Sequence, residues 1–111
     1  MNEIRRYVTA SGKDIYQTWL DKFRDVTTRA KIELRIMRLE RGLFGDCKAI
    51  RAGVHELRID IGPGYRVYFG KDGERIILLL CGGDKSTQPK DIENAIKYWK
   101  DYQACGEQKH K

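Results

Sequence analysis

The sequence predicts an α+β domain: a mostly antiparallel, twisted sheet of four to five strands, with two helices packed on one face and a C-terminal helix. Three features predict it, namely helical spacing of apolar residues in the first third, strict alternation in the middle, and helical spacing again near the end. The 111 residues are enough for one core. We expect a single domain over residues 1–104 and a polar tail over residues 105–111, with helices on one sheet face and the other face partly open to solvent.

The first elements are a short strand and a helix. Ile4–Val8 has the composition of a strand. Ser11 followed by Asp14 resembles a capping box, which predicts a helix that begins at Gly12 or Lys13. The apolar residues that then repeat at helical spacing are Ile15, Trp19, Leu20 and Phe23.

A second helix is predicted directly afterwards, with Thr27 or Thr28 as its N-terminal cap. Its apolar stripe contains Ile32, Ile36 and Leu39. Gly42 stands where a left-handed C-terminal cap is common, so the helix is expected to end there.

The middle of the chain has the pattern of a β-meander. Lys48–Arg51 is a short strand candidate, and the segment 55–61 alternates strictly between apolar and polar residues. Turn residues at 62–64 lead into a returning strand, Tyr65–Phe69, and Asp72-Gly73 is a strong hairpin signal.

The last elements are a buried strand and a helix. The segment 75–80 is apolar on both faces, so we expect a central strand covered on both sides. Pro89 suits the first turn of a helix. The side chains of that helix expected to face the core are Ile92, Ala95, Ile96 and Trp99.

Charge and hydropathy restrict the class of protein. Lys and Arg number 22 against 16 Asp and Glu, a formal charge of +6, which favours polyanions such as nucleic acid, or an acidic protein, as partners. The same charge could serve solubility alone. The longest apolar run, Ile76–Cys81, is too short to span a membrane, and the N-terminus has no signal-peptide core. Three cysteines without a CxxC pair indicate neither a disulfide framework nor a metal site and suit the reducing cytoplasm.

The polar residues of the meander are the candidate site. Because residues two apart in a strand share a face, those of neighbouring strands can lie side by side. The candidates are Glu56 and Arg58, Arg66 and Tyr68, with Lys48 or Arg51 from the preceding strand and Lys85 from the loop after the last strand. Arginine binds phosphate oxygens with a rigid fork, and fixed positive charge stabilises the transition state of phosphodiester cleavage. A site without metal ligands favours RNA, whose 2′-hydroxyl is an internal nucleophile.

Each of these residues has a structural alternative. Glu56 and Arg58 could be solvated surface charges, and Arg66 with Tyr68 could be a cross-strand packing pair. The basic series on the second helix, which includes Arg38, has the pattern of a solvated face, although some members could bind RNA phosphate. The glycines before Lys85 lack the spacing of a nucleotide-binding phosphate loop.

Three motifs together resemble a known superfamily of toxins. They are Glu56-Leu57-Arg58, Gly64-Tyr65-Arg66-Val67-Tyr68-Phe69, and Leu79-Leu80-Cys81-Gly82-Gly83-Asp84-Lys85-Ser86-Thr87-Gln88. Together with the order of elements, these motifs resemble the RelE/ParE superfamily of type II toxin–antitoxin toxins. Within it they resemble the HigB-like branch, whose members are phage-derived and are called addiction module killer proteins. The resemblance covers about Ile4 to Tyr102.

The resemblance implies a metal-independent mRNA endoribonuclease that acts on messages, in most such families on the ribosome. It also implies a cognate helix-turn-helix antitoxin, and contact with operator DNA only through the antitoxin complex. By the resemblance, Arg58 and Arg66 contact the scissile phosphate and Lys85 is the basic residue after the last strand. ParE-like members of the superfamily inhibit DNA gyrase instead.

The mechanism expected for such an enzyme is transesterification by the RNA 2′-oxygen. Arg58 and Arg66 would bind the phosphate, since arginine does not accept a proton at neutral pH. Glu56 or a lysine would be the base, and Tyr68 would orient the ribose or protonate the leaving oxygen. The alternatives are a non-enzymatic gyrase inhibitor of the ParE type and an RNA- or protein-binding module without catalysis.

Overall fold

A computed structural model describes the backbone of residues 1–109 and the side chains of residues 1–105. It confirms the α+β class and the predicted order of elements. The strands are β1 (Glu3–Arg6), β2 (Cys47–Arg51), β3 (Val54–Ile59), β4 (Tyr65–Asp72) and β5 (Ile76–Asp84). The helices are α1 (Ile15–Asp21), α2 (Val26–Glu40) and α3 (Gln88–Lys109), with a 3-10 turn (Lys85–Thr87) before α3.

The five strands form one mixed sheet in the order β1-β5-β4-β3-β2. β1 is parallel to β5, and every other pair is antiparallel, as a meander requires. The predicted doubly covered strand is β5, which is apolar toward both faces and lies inside the sheet between β1 and β4 rather than at its centre.

Helices cover both faces of the sheet, so the expectation of one open face is wrong. The first face carries Leu57, Val67 and Leu79, which pack with residues of α1 and α2 such as Leu20 and Ile32. The opposite face packs against α3 and contains Val54, Tyr68, Leu78, Leu80, Ala95 and Trp99. A strand pattern shows that polar residues share a face but does not show which helix covers it.

Aspartates cap the first two helices in place of the residues predicted from sequence. The predicted capping box at Ser11 is wrong: α1 begins at Ile15, and Asp14 accepts a hydrogen bond from the Gln17 amide. α2 begins at Val26, and Asp25 accepts from the Thr27 amide. An aspartate in extended backbone satisfies the exposed amides of a first turn as well as serine or threonine does.

The end of α2 agrees with the sequence prediction. Gly42 has a φ of +80°, its amide donates to the Leu39 carbonyl, and the Leu43 amide donates to the Arg38 carbonyl. This pair of bonds is a Schellman motif, which favours glycine because the position is left-handed.

Two glycines of the sheet make room for α3. A Cβ at Gly70 would lie 2.3 Å from the Trp99 ring, and one at Gly83 would overlap the Asp91 carboxyl. Gly82 and Gly83 therefore lie inside β5 as well as preceding the turn to α3. The missing side chain at Gly83 allows α3 to pack closely on this strand.

α3 continues beyond the predicted end of the domain. Its backbone is helical through Lys109, and the remainder of the predicted tail lies outside the described residues. Within the part of the chain that the structure describes, no helix is both long enough and apolar enough to cross a membrane.

Candidate functional site

The candidate site lies on the α3 face of the sheet, where β3 ends and β4 begins. In the strand register Glu56 faces Tyr68, and Arg58 faces Arg66. The prediction that these four side chains lie side by side is therefore confirmed. Directly opposed residues of antiparallel strands project from the same face, which is why alternation alone predicted the grouping.

Glu56 is the centre of this cluster. Its side chain is fully buried, and Oε2 accepts hydrogen bonds from Tyr68 Oη at 3.2 Å and from Gln88 Nε2 at 2.7 Å. Arg58 Nε donates to Oε1 at 3.1 Å, and Arg66 Nε lies 3.5 Å from Oε2. A buried carboxylate is tolerated only with such partners, and here they come from β3, β4 and α3.

These contacts set the charge of the carboxyl. Burial alone would raise the pKa of Glu56, but the hydrogen bonds from Arg58, Gln88 and Tyr68 and the charge of Arg66 outweigh it and lower the pKa. Glu56 is therefore ionised and shielded at neutral pH. This geometry favours a positioning role for Glu56 over the role of general base.

The two arginines differ in exposure. The Arg58 side chain is 37% exposed, so its guanidinium is accessible beside the carboxylate that holds it. The Arg66 side chain is only 10% exposed, and its Nη1 donates to the Gly64 carbonyl. Among the described side chains, Arg66 Nε is the one buried nitrogen or oxygen atom without a hydrogen-bond partner. This nitrogen lies 3.5 Å from Glu56 Oε2, so its charge is compensated by the carboxylate although the pair lacks hydrogen-bond geometry.

Tyr68 is unsuited to proton transfer in this arrangement. Its side chain is fully buried, and its hydroxyl is directed to Glu56. Burial, followed by the charge and hydrogen bond of Glu56, strongly raises the pKa of Tyr68. We therefore assign Tyr68 to support of Glu56 rather than to contact with a substrate.

Lys85 begins the 3-10 turn at the end of β5 and is exposed. Asp84 precedes it and caps the turn by accepting from the Ser86 amide at 2.8 Å. In the β4–β5 register Arg66 faces Gly83, two residues before Lys85. The structure thus brings Lys85 to the end of the sheet that carries the arginines, as the sequence predicted.

The three basic residues predicted to bind RNA separate into two groups. Lys48 of β2 faces Glu56 in the register and is exposed, so it extends the cluster toward the edge of the sheet. Arg51, at the end of β2, borders α3. Arg38 belongs to α2, which covers the opposite face, and it lines a separate depression with Arg35. The structure does not bring Arg38 to the cluster.

Sequence reasoning missed two side chains of the α3 N-terminus. Gln88 donates to Glu56 across 32 residues of chain, and Asp91 occupies the space above Gly83, bonded to the Thr87 hydroxyl. Burial, the largest cause, and the charge of Asp84 raise the pKa of Asp91, against the opposing effect of the Thr87 hydrogen bond. Gln88 ends the third motif, but only the path of α3 shows what it contacts.

A cavity with an apolar floor lies away from the cluster. It measures 710 Å³, lies between β1, α1 and α2, and its floor includes Ile4, Leu20 and Ile36. Two of its charged residues, Arg6 and Asp14, pair with one another. It lacks the convergent cations of the sheet cluster, so we place the candidate site at the cluster.

Comparison with known proteins finds a relative without a named activity. No family model matches the chain. A Haemophilus influenzae protein described as "Uncharacterized protein" is 51% identical over 80 residues, which is 72% of this chain and 81% of the relative. At this identity and coverage, the chain belongs to the same family as that Haemophilus influenzae protein.

Proposed function

We propose that the protein is the toxin of a type II toxin–antitoxin system and a metal-independent mRNA endoribonuclease of the HigB-like branch of the RelE/ParE superfamily. One observation carries the proposal: a buried Glu56 holds Arg58 and Arg66 together on one sheet face, with the Arg58 side chain 37% exposed. Lys48 and Lys85 add exposed positive charge at the same end of the sheet. Converging arginines suit a phosphodiester better than an apolar protein contact.

The proposed reaction is a transesterification within the RNA. The 2′-oxygen attacks the adjacent phosphorus, and its proton passes to a base. The bond from phosphorus to the 5′-oxygen breaks, and that oxygen takes up a proton, which leaves a 2′,3′-cyclic phosphate and a 5′-hydroxyl. Arg58 and Arg66 bind the phosphate oxygens and stabilise the negative charge of the transition state.

The carboxylate and the phenol support this reaction indirectly. Glu56 keeps both arginines oriented, and Tyr68 and Gln88 hold Glu56. Of the groups considered for proton transfer, Glu56 and Tyr68 are buried, whereas the lysines Lys48 and Lys85 are exposed. The chain therefore contributes mainly phosphate binding and charge, and the ribosome is proposed to supply further positioning of the message.

The remaining partners belong to the same proposal. A helix-turn-helix antitoxin would neutralise the toxin, and the complex would bind operator DNA through the antitoxin. The formal charge of +6 supports attraction to RNA and to acidic partners. The proposed place of action is the cytoplasm, where mRNA is translated.

Inducible expression followed by primer extension on cellular mRNA tests the function. We expect growth arrest and message cuts at fixed codon positions. Arg58→Ala should abolish the cuts without unfolding the protein, because Arg66, Tyr68 and Gln88 still contact the Glu56 carboxylate. The matched control is Arg24→Ala, an exposed arginine on the other side of the sheet between α1 and α2.

The competing functions give different results in the same cells. Intact mRNA together with loss of DNA supercoiling would indicate a gyrase inhibitor and contradict the endoribonuclease. Normal growth with intact mRNA would indicate a binding module without catalysis. Equal cutting by the Arg58→Ala variant and the unaltered protein would contradict the site assignment.

A further inference from the structure

A groove runs from the candidate site along α3. Two adjoining cavities of 560 and 440 Å³ lie between the edge strand β2 and the N-terminal half of α3, and they share Arg51, Lys90 and Glu93. Gln88 and Pro89 line the first cavity, and Lys97 lines the second. We call these cavities together the α3 groove. From Gln88 to Lys97, the 1.5 Å rise of a helix gives about 13 Å of length.

The charge of the α3 groove is positive. Arg51, Lys90 and Lys97 outnumber Glu93, and all four are exposed. Among the described side chains, no ion pair within 4.0 Å involves any of the three cations. Cations without a carboxylate partner along a groove attract a chain of negative charges, because binding releases the counterions of that chain.

The α3 groove is continuous with the cluster around Glu56. Gln88 lines its first cavity and also donates to Glu56 at 2.7 Å. Lys48 faces Glu56 from β2, the strand that also carries Arg51. A strand with its phosphate at Arg58 and Arg66 would therefore meet Arg51 and Lys90 next.

We propose that the α3 groove binds the single-stranded RNA that flanks the scissile phosphate, with Arg51, Lys90 and Lys97 as phosphate contacts. The inference rests on the proposed function, because that function supplies the strand and fixes its starting point. Pro89 gives the first cavity an apolar surface against which a base can pack. An acidic peptide fits the charge as well but has no reason to begin at the arginine cluster.

Fluorescence anisotropy with labelled RNA tests the groove. The probes are a dinucleotide, which has a single phosphate, and a nonanucleotide, both with 2′-O-methyl sugars, which cannot undergo the proposed cleavage; each is titrated over a range of salt concentrations. The variant is Arg51→Gln, Lys90→Gln and Lys97→Gln combined. Loss of three phosphate contacts should lower the salt slope for the nonanucleotide by about 2 and leave that for the dinucleotide unchanged.

A control variant with the same change of net charge separates the groove from the overall charge. Arg24→Gln, Lys31→Gln and Arg41→Gln replace exposed cations near α2, away from the groove. We expect this variant to keep the slope of the unaltered protein. An equal loss in both triple variants, no loss in the groove variant, or tighter binding of a labelled oligoglutamate than of the nonanucleotide would overturn the proposal.

The test also separates this inference from the proposed function, since the probes are not cleaved. Message cutting in cells together with an unchanged slope in the groove variant overturns the α3 groove alone. Uncut message together with the expected slope change overturns the endoribonuclease and supports the groove as an RNA-binding site.

Discussion

Glu56 is a buried carboxylate whose partners come from three different elements. Its oxygens contact Arg58 of β3, Tyr68 and Arg66 of β4, and Gln88 of α3. Breaking a buried pair on one side leaves the other charge without compensation, which costs more than the pair contributes. At the scale of single residues, Glu56 therefore links the stability of the fold to the orientation of the candidate site.

Glu56→Gln should lower the free energy of unfolding by about 3 kcal/mol, because Arg66 would remain buried without its counter-charge. Urea denaturation measures the change. Glu93→Gln, at an exposed position on α3, is the control and should change stability by less than about 0.5 kcal/mol. Equal stability of the two variants would contradict the central position of Glu56.

The lowered pKa of Glu56 gives a pH dependence with a definite sign. A carboxyl whose pKa is lower in the folded than in the unfolded protein adds stability above its ordinary value of 4.5, and that stability is lost as the pH falls through the folded pKa. Urea midpoints measured between neutral pH and acid should fall more steeply for the unaltered protein than for Glu56→Gln. Parallel curves would contradict this contribution.

The grouping of the site residues was predictable from the sequence, but their burial was not. Alternation with a period of two placed Glu56, Arg58, Arg66 and Tyr68 on one face, whatever covered it. Whether Glu56 faces water or lies beneath a helix depends on Gln88, a contact across 32 residues that no local pattern indicates. The burial of Glu56 and Tyr68 disfavours the proton-transfer roles that the sequence-based hypothesis assigned to them.

At the scale of elements, short polar side chains determine where helices begin. Asp14 caps α1 through the Gln17 amide and pairs with Arg6, whereas the Ser11 hydroxyl is hydrogen-bonded to the Thr9 hydroxyl. The sequence placed both residues near the helix start. It did not separate them, because serine and aspartate are equally good caps.

Asp14→Ala should cost about 1 kcal/mol of stability through loss of the cap. Ser11→Ala should cost less than about 0.5 kcal/mol, since its position is exposed and outside the helix. Thermal or urea unfolding of the two variants measures the difference. A larger effect at Ser11 would restore the predicted capping box.

The packing of α3 on β4 depends on the absence of a side chain at Gly70. A methyl group there would lie 2.3 Å from the Trp99 ring, which is itself buried. Gly70→Ala should lower the free energy of unfolding by about 2 kcal/mol through overpacking. In a Trp99→Leu background the added methyl group should cost much less, so a double-mutant cycle that shows simple additivity would contradict the contact.

At the scale of the whole molecule, one sheet is packed on both sides, and α3 completes the second core. The contacts of α3 with the rest of the chain include Tyr98 stacked on Tyr7 at 5.0 Å and hydrogen bonds from Tyr7 to Asp101 and from Tyr102 to Asp72. All of these residues precede position 105.

Removal of residues 105–111 should leave the free energy of unfolding unchanged within about 0.5 kcal/mol, in agreement with a domain over residues 1–104. Removal of residues 98–111 should unfold the protein, since Trp99 would no longer cover Val54 and Leu78. Circular dichroism and urea unfolding measure both. Strong destabilisation by the shorter deletion would move the domain boundary.

The fold class was predictable because helical spacing, strand alternation and turn residues agree along the chain. The sequence did not predict which side of the sheet α3 covers, because a helix with apolar residues such as Ile92 and Trp99 can pack on either face. The same placement separates two of the predicted cations: Arg51 borders α3, whereas α2 holds Arg38 on the opposite side.

The central claim is that Arg58 and Arg66 form one phosphate-binding site, and NMR of their side-chain Nε–H groups tests it most directly. The probe is a dinucleotide with a 2′-O-methyl sugar, titrated into the labelled protein. We expect the Arg58 and Arg66 signals to shift together with a single dissociation constant, while Arg24 and Arg38 remain unchanged. Shifts at Arg38 without shifts at Arg66 would contradict the claim.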